Sequence, residues 1–175
     1  MPVQSFIPLN PAIGFAGQVA DGVAFDAITL KNADTVSMPF GAIVSFKTAG
    51  ATSDKDAILT ASTGAILAGI LMHKHSYERT WTLPDGTIAG ELDAVGLVVG
   101  VTFSTMRKGH IYVVCEDGCT VGAKLWVRYA GGTLGAARST DAGGSTCLSA
   151  ITQGTWLSNT LATNVGKLEI DFASK

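Results

Sequence analysis

Glycine recurs along this chain at such short intervals that long uninterrupted elements have little room to form. The 21 glycines among 175 residues are spread through the sequence and not gathered into one linker, so they punctuate many short elements. Between them the apolar residues alternate with a period of two or form short β-branched runs, and no segment of helical length carries an i, i+3, i+4, i+7 stripe. The clearest strand is Gly166 to Phe172, where Leu168, Ile170 and Phe172 point one way and Lys167, Glu169 and Asp171 the other, as in a strand with one wet face. Further segments of strand length are 42–46, 65–72, 95–103, 110–115, 123–129 and 146–151. Seven or more short strands separated by turns predict an all-β fold, a single-domain barrel or sandwich of short antiparallel strands.

Two stretches depart from this rhythm. Residues 1–20 carry Pro2, Pro8 and Pro11, which remove ladder donors and favour extended chain, and they read as an extended N-terminal arm leading into one β domain over 21–175. Residues 73–91 (HKHSYERTWTLPDGTIAGE) are the most polar part of the chain, with a turn signal at Pro84-Asp85-Gly86, and read as an exposed hairpin or long loop.

Hydrophobic residues make up 47% of the chain and charged ones 15%, a low charge density that leaves surface available for partners. The net charge of −2 comes with no basic stripe, which argues against direct binding of nucleic acid. The longest apolar runs, 65–72 and 95–101, are far below the roughly 18 residues of a membrane helix, and the first basic residue is Lys31, so neither a membrane span nor a secretion signal is expected. The chain is therefore expected to be soluble and to be made in the cytoplasm. Three cysteines in such a chain do not suggest a disulfide framework.

In CEDGC, residues 115–119, two cysteines four residues apart flank an acidic, glycine-containing segment. Cys115 and Cys119 could offer zinc two thiolates, with His73 and His75 as further ligands, but a lone CxxxC and an HxH lack the paired knuckles of structural zinc sites. A Cys115–Cys119 disulfide is conceivable if Glu116-Asp117-Gly118 is a hairpin loop, since opposed residues approach to about 5.5 Å at Cα. The simpler reading makes Cys115 the small apolar end of a strand and Glu116-Asp117-Gly118 a polar turn. His73 and His75 then decorate an exposed strand, and Asp54 and Asp56 belong to a solvated turn. Nucleophile-elbow, Walker and dinucleotide-binding patterns are missing, so no catalytic residue, metal or cofactor is expected.

Three segments in order, NPAIGFAGQVAD at 10–21, IYVVCEDGCTVGAKLWVRYAGGTLGA at 111–136 and TWLSNTLATNVGKLEIDF at 155–172, resemble the structural cement, or head-decoration, proteins of tailed bacteriophages. In that family a proline-containing arm leads into a GFAGxxAD-like segment. A strand and a turn follow, matched here by Val121 to Val127 (VGAKLWV), then a Gly-rich hairpin and a last strand. Segment 73–91 and the cysteines correspond to no feature of the family. The resemblance implies a non-enzymatic virion protein, assembled in the host cytoplasm, that sits on the outer surface of the capsid, binds the major capsid protein and cements neighbouring subunits of the expanded head. By family analogy it also implies a homo-oligomer, a homotrimer ahead of a dimer.

The arm is the expected capsid contact, through Phe6, Ile7, Leu9, Ile13 and Phe15, because its prolines lower the entropy lost on ordering and its apolar residues otherwise lack a core partner. The alternative is that Ile13 and Phe15 begin the first core strand. Tyr77 and Trp81 are second candidates, as aromatic anchors in a polar rim. A rival function is that of another virion part or a carbohydrate-binding β module for host attachment, in which Trp81 and Trp156 would stack on sugar rings.

Overall fold

The computed structural model describes residues 14–20, 24–62, 64–73, 96–141 and 153–173, and by their backbone pairing 80–82, 88–90 and 147–149. The described chain is all β. Its twelve strands are β1 (Asp26–Asn32), β2 (Ile43–Phe46), β3 (Asp56–Leu59), β4 (Leu67–Leu71), β5 (Thr80–Thr82), β6 (Ile88–Gly90), β7 (Thr102–Cys115), β8 (Trp126–Arg128), β9 (Ala137–Arg138), β10 (Cys147–Ser149), β11 (Gly154–Trp156) and β12 (Asn164–Asp171).

Strand pairing closes two rings that share β7. In the first, β1 pairs β3, β3 pairs β2, β2 pairs β4, β4 pairs β7, and β7 returns to β1, so no edge of that sheet is left open around the ring. In the second, β7 pairs β12, β12 pairs β11, a bridge from Thr155 to Lys124 leads into β8, and β8 reaches β7 again through β9. The pairs are antiparallel except β1–β3 and β7–β9, which are parallel. β10 continues the sheet beyond β8, and β5 pairs β6 as a separate two-stranded unit with Trp81 opposite Ala89.

Each ring has its own core. Leu30, Met38, Val44, Leu59, Leu71, Leu97 and Phe103 fill the first. Met106, Ile111, Val113, Leu125, Val127, Trp156, Leu168 and Ile170 fill the second, joined by Ile43, Leu67 and Ile70 from the opposite faces of β2 and β4. That double burial explains why the sequence around β4 is one apolar run and not an alternation: all five of its residues are buried. Gly69 sits at the irregularity in β4 with φ of +147°, and a Cβ placed there would lie 2.3 Å from the Met106 carbonyl oxygen, so the close approach of β4 to β7 requires glycine.

β12 matches the alternation of its sequence, with Gly166, Leu168 and Ile170 buried. Segments 42–46, 65–72, 123–129 and 146–151 hold β2, β4, β8 and β10, while other expectations need correction. Segments 95–103 and 110–115 are not two short strands. Residues 96–100 form a bridge and a turn, and one 14-residue strand runs from Thr102 to Cys115. Arg107 and Lys108, which fall between the two expected segments, lie on it: Lys108 is laddered to both β1 and β12, and the Arg107 carbonyl accepts from the Phe172 N–H. Asp56 is also not in a solvated turn: it begins β3 at 2% exposure, with its Oδ2 accepting from the Thr52 and Ser53 backbone N–H groups and the Thr52 hydroxyl. The Thr52 donors hold its carboxyl below the usual range against the opposing effect of burial, with further help from Ser53 and from the charge of Lys31.

Candidate functional site

Around CEDGC, Cys115 is the last residue of β7 and Gly118 takes φ of +79°, so a turn does follow the strand. The turn does not fold back as a hairpin: Cys119 exchanges backbone hydrogen bonds with Thr160, at 2.9 Å in both directions, and the chain leaves β7 for the segment before β12. Both cysteines are free and buried. The Cys115 thiol approaches Asp117 Oδ1 at 3.4 Å, and that of Cys119 donates to the Ser158 carbonyl at 3.2 Å. Burial pushes both thiols up, and for Cys115 the neighbouring Cys119 and Asp117 push further, the opposite of what a metal-binding or nucleophilic thiolate needs. Among the described residues no group of three or more His, Cys, Asp or Glu is placed to hold a metal ion.

The two acids of the turn serve an ion-pair cluster that the sequence reading missed. Glu116 Oε2 accepts from Arg128 Nε at 2.8 Å and from Arg138 Nη1 at 2.7 Å, while Arg138 Nη2 lies 3.3 Å from Asp117 Oδ2. Asp117 also accepts from the backbone N–H groups of Ser139 and Thr140 and from the Thr140 hydroxyl. Burial works to raise Glu116, but the hydrogen bonds and charges of the two arginines outweigh it and leave the carboxyl below its ordinary value. The same contest, won by Thr140, Ser139, Cys115 and Arg138, lowers Asp117. The cluster therefore fastens the end of β7 to β8 and β9 and closes the second ring. Its sequence signal was the presence of two of the chain's four arginines in the strands that follow an acidic turn.

The described base of the arm, residues 14–20, is part of the sheet. Gly17 N–H donates to the Tyr112 carbonyl, Tyr112 N–H to that of Gln18, and Ala20 N–H to that of His110, so residues 17–20 occupy the edge of β7 opposite β12. Gly17 also accepts from the His73 N–H, which ties the arm base to the end of β4. A turn closed by Gln18 N–H on the Phe15 carbonyl then reverses the chain and lays Gly14 on the ring of Tyr112. Phe15 is 49% exposed and begins no core strand; its ring meets His73 edge-on, with centroids 4.6 Å apart. His73 meets Phe40 in the same way from another side, so it packs between two phenyl rings and does not decorate an exposed strand. Of the other expected contact residues, Phe6, Ile7, Leu9, Ile13 and Tyr77 lie outside the described residues, as does His75, and Trp81 is placed on β5 by its backbone pairing.

Beside the arm base is an apolar cavity of about 360 Å³, bounded by Phe40, Ala42, Val114, Leu134, Ala136 and Thr163, with Glu116 at its polar side. Its walls come from four segments far apart in sequence, which is why no motif announced it. Thr163, at φ of +63°, is the described non-glycine residue in the left-handed region, held there by its N–H donating to the Cys115 carbonyl. Other large apolar side chains are exposed in scattered places, among them Val36 and Val99 at one end of the first ring and Val121 and Leu161 beyond the second. Trp156 is not one of them: it is fully buried, with Nε1 donating to the Arg138 carbonyl at 3.1 Å, which withdraws it as a platform for sugar stacking.

Two closed β rings share one long strand, and burial holds both thiols in their unreactive form. The chain belongs to the phage structural cement protein family: the model described as "Structural cement protein (E217 gp24/Pam3 gp6)" matches residues 3–171. Its fold is similar to that of a chain in "The capsid of Myoviridae Phage XM1", with a TM-score of 0.67 at 13% identity over 98% of each chain. No curated protein matches it.

Proposed function

We propose that this protein binds the outside of the expanded phage head and cements neighbouring major capsid protein subunits, with its N-terminal arm as the principal contact. Membership of a structural cement family supports the reading, and the observation that carries it to the arm is the insertion of residues 17–20 into the edge of β7. An arm whose base is hydrogen-bonded to a strand edge passes load into the body of the protein through several bonds at once. Phe6, Ile7, Leu9, Ile13 and Phe15 make the contact, Tyr77 and Trp81 add to it, and no catalytic step is involved.

The mechanism is linkage. A protein that binds the expanded lattice alone stabilises it by RT ln(1 + [L]/Kd), about 2.7 kcal/mol per site at a hundredfold excess over Kd. If the subunits act as a homotrimer, each later contact is partly intramolecular and weak patches add up through effective concentration. The test is deletion of residues 1–12 followed by co-sedimentation with heads before and after expansion. Binding should be lost while the circular dichroism of the β domain is kept; undiminished co-sedimentation of the shortened protein with expanded heads would refute the role of the arm.

A further inference from the structure

We propose that, in the free protein, the apolar cavity between Phe40, Val114 and Leu134 is the docking groove for the protein's own residues 1–13. The groove is apolar on most sides, and Glu116, the carboxylate among its described lining residues, is already neutralised by Arg128 and Arg138, which favours an uncharged occupant. Residues 1–13 (MPVQSFIPLNPAI) contain no Asp, Glu, Lys or Arg side chain and six large apolar ones, Met1, Val3, Phe6, Ile7, Leu9 and Ile13. Their three prolines reduce the entropy lost when such a segment is ordered.

The point of departure fits the same occupant. The last described residue of the arm, Gly14, lies on Tyr112, and Val114 in the groove is two residues along the same outer face of β7. Two strand residues span roughly 6.6 Å, a distance that two or three residues of extended chain cover, leaving about ten from which apolar side chains can be placed in the groove. The rim on that side is the arm base itself. A Cβ on Gly41, which lines the groove, would be 3.2 Å from the Ala16 Cβ, and Phe40 reaches Phe15 through the shared His73. A segment entering from this rim stays intramolecular and needs no second copy of the chain. Docking in the free protein does not depend on capsid binding, although an arm so held must leave the groove before it can reach any other surface.

Hydrogen exchange of the full-length protein, read by mass spectrometry without capsids, tests this. The amides of residues 1–13 should exchange at least about tenfold more slowly than in the same thirteen residues as a free peptide, equally at high and low protein concentration. Val114 is 42% exposed, so Val114→Asp should leave β7 and β12 protected while returning residues 1–13 to the free-peptide rate. Leu134→Ser provides the same comparison if Val114→Asp loosens β7. Free-peptide rates in the unaltered protein, or protection that survives both substitutions, would overturn the proposal. Protection that disappears on dilution would overturn it too, by giving the groove to the arm of a second copy.

Discussion

Replacing Glu116 by glutamine should destabilise the fold by about 2 kcal/mol at neutral pH, although the side chain keeps its size. One oxygen, Oε2, accepts from both Arg128 and Arg138 at 2.7–2.8 Å, and both guanidinium groups are largely buried. Both guanidinium groups stay charged, so the substitution turns two ion-paired hydrogen bonds into two that a charged donor makes to a neutral amide oxygen, and the lost carboxylate charge costs about 1 kcal/mol apiece. Arg138 keeps Asp117, and Arg128 keeps the carbonyls of Ala130 and Gly131, which holds the loss near that figure. With a urea m-value of about 2 kcal/mol/M the unfolding midpoint should fall by about 1 M. The pH dependence provides an internal control. Because the folded carboxyl sits below its ordinary value of 4.5, its contribution is present above that pH and is lost as pH falls through the folded value. The midpoints of the two proteins should therefore differ fully at pH 7 and converge as the pH is lowered below 4.5 and through the folded value. A shift under about 0.2 M at pH 7, or a gap that stays constant into acid, would show that the cluster does not hold β7 to β8 and β9.

Other substitutions address the remaining joints. Gly69→Ala must find room within 2.3 Å of a β7 carbonyl at a backbone angle that alanine avoids, and should cost about 3 kcal/mol or more, a drop of roughly 10 °C in the melting temperature; an unchanged melting temperature would remove the reason given for that glycine. Trp156→Phe leaves the Arg138 carbonyl without its indole donor and a void in the second core, and should cost about 2 kcal/mol by denaturant titration, whereas a neutral result would place the ring outside the core. Cys115 and Cys119 replaced together by alanine should leave metal content and head binding unaltered, at a stability cost of about 1–2 kcal/mol; in the unaltered protein both thiols should react with an aromatic disulfide reagent only on unfolding, and rapid native-state reaction would contradict their burial.

Strands with one wet face were readable in advance, because Leu168 and Ile170 alternate with Lys167 and Glu169 and the alternation has one physical meaning. β4 was readable too, as a short apolar run between turns. β3 was hidden because it opens on a carboxylate: Asp56 looks solvated until Thr52 and Ser53 supply the donors that let it be buried. β1 carries a true alternation over Ile28, Leu30 and Asn32, but its buried face ends in an amide that a polar reading discards, and β11 is too short for any period. The family could be recognised from the order of the segments. The groove could not, because Phe40, Val114, Leu134 and Thr163 meet through a topology that includes the single parallel contact of β7 with β9. Of the residues expected at the contact surface, Phe15 is exposed beside that groove.

β7 has a mechanical consequence. Its first half is laddered to β1 over residues 102–108 and its second half to β12 over residues 108–115, so the two rings hang on one continuous backbone. A lengthwise pull of one ring against the other meets covalent bonds in β7 and loads both ladders in shear, where all the hydrogen bonds of a ladder share the force at once. Peeling would load them one at a time and yield at much lower force. A body spliced in this way resists stretching along β7 more strongly than peeling across it.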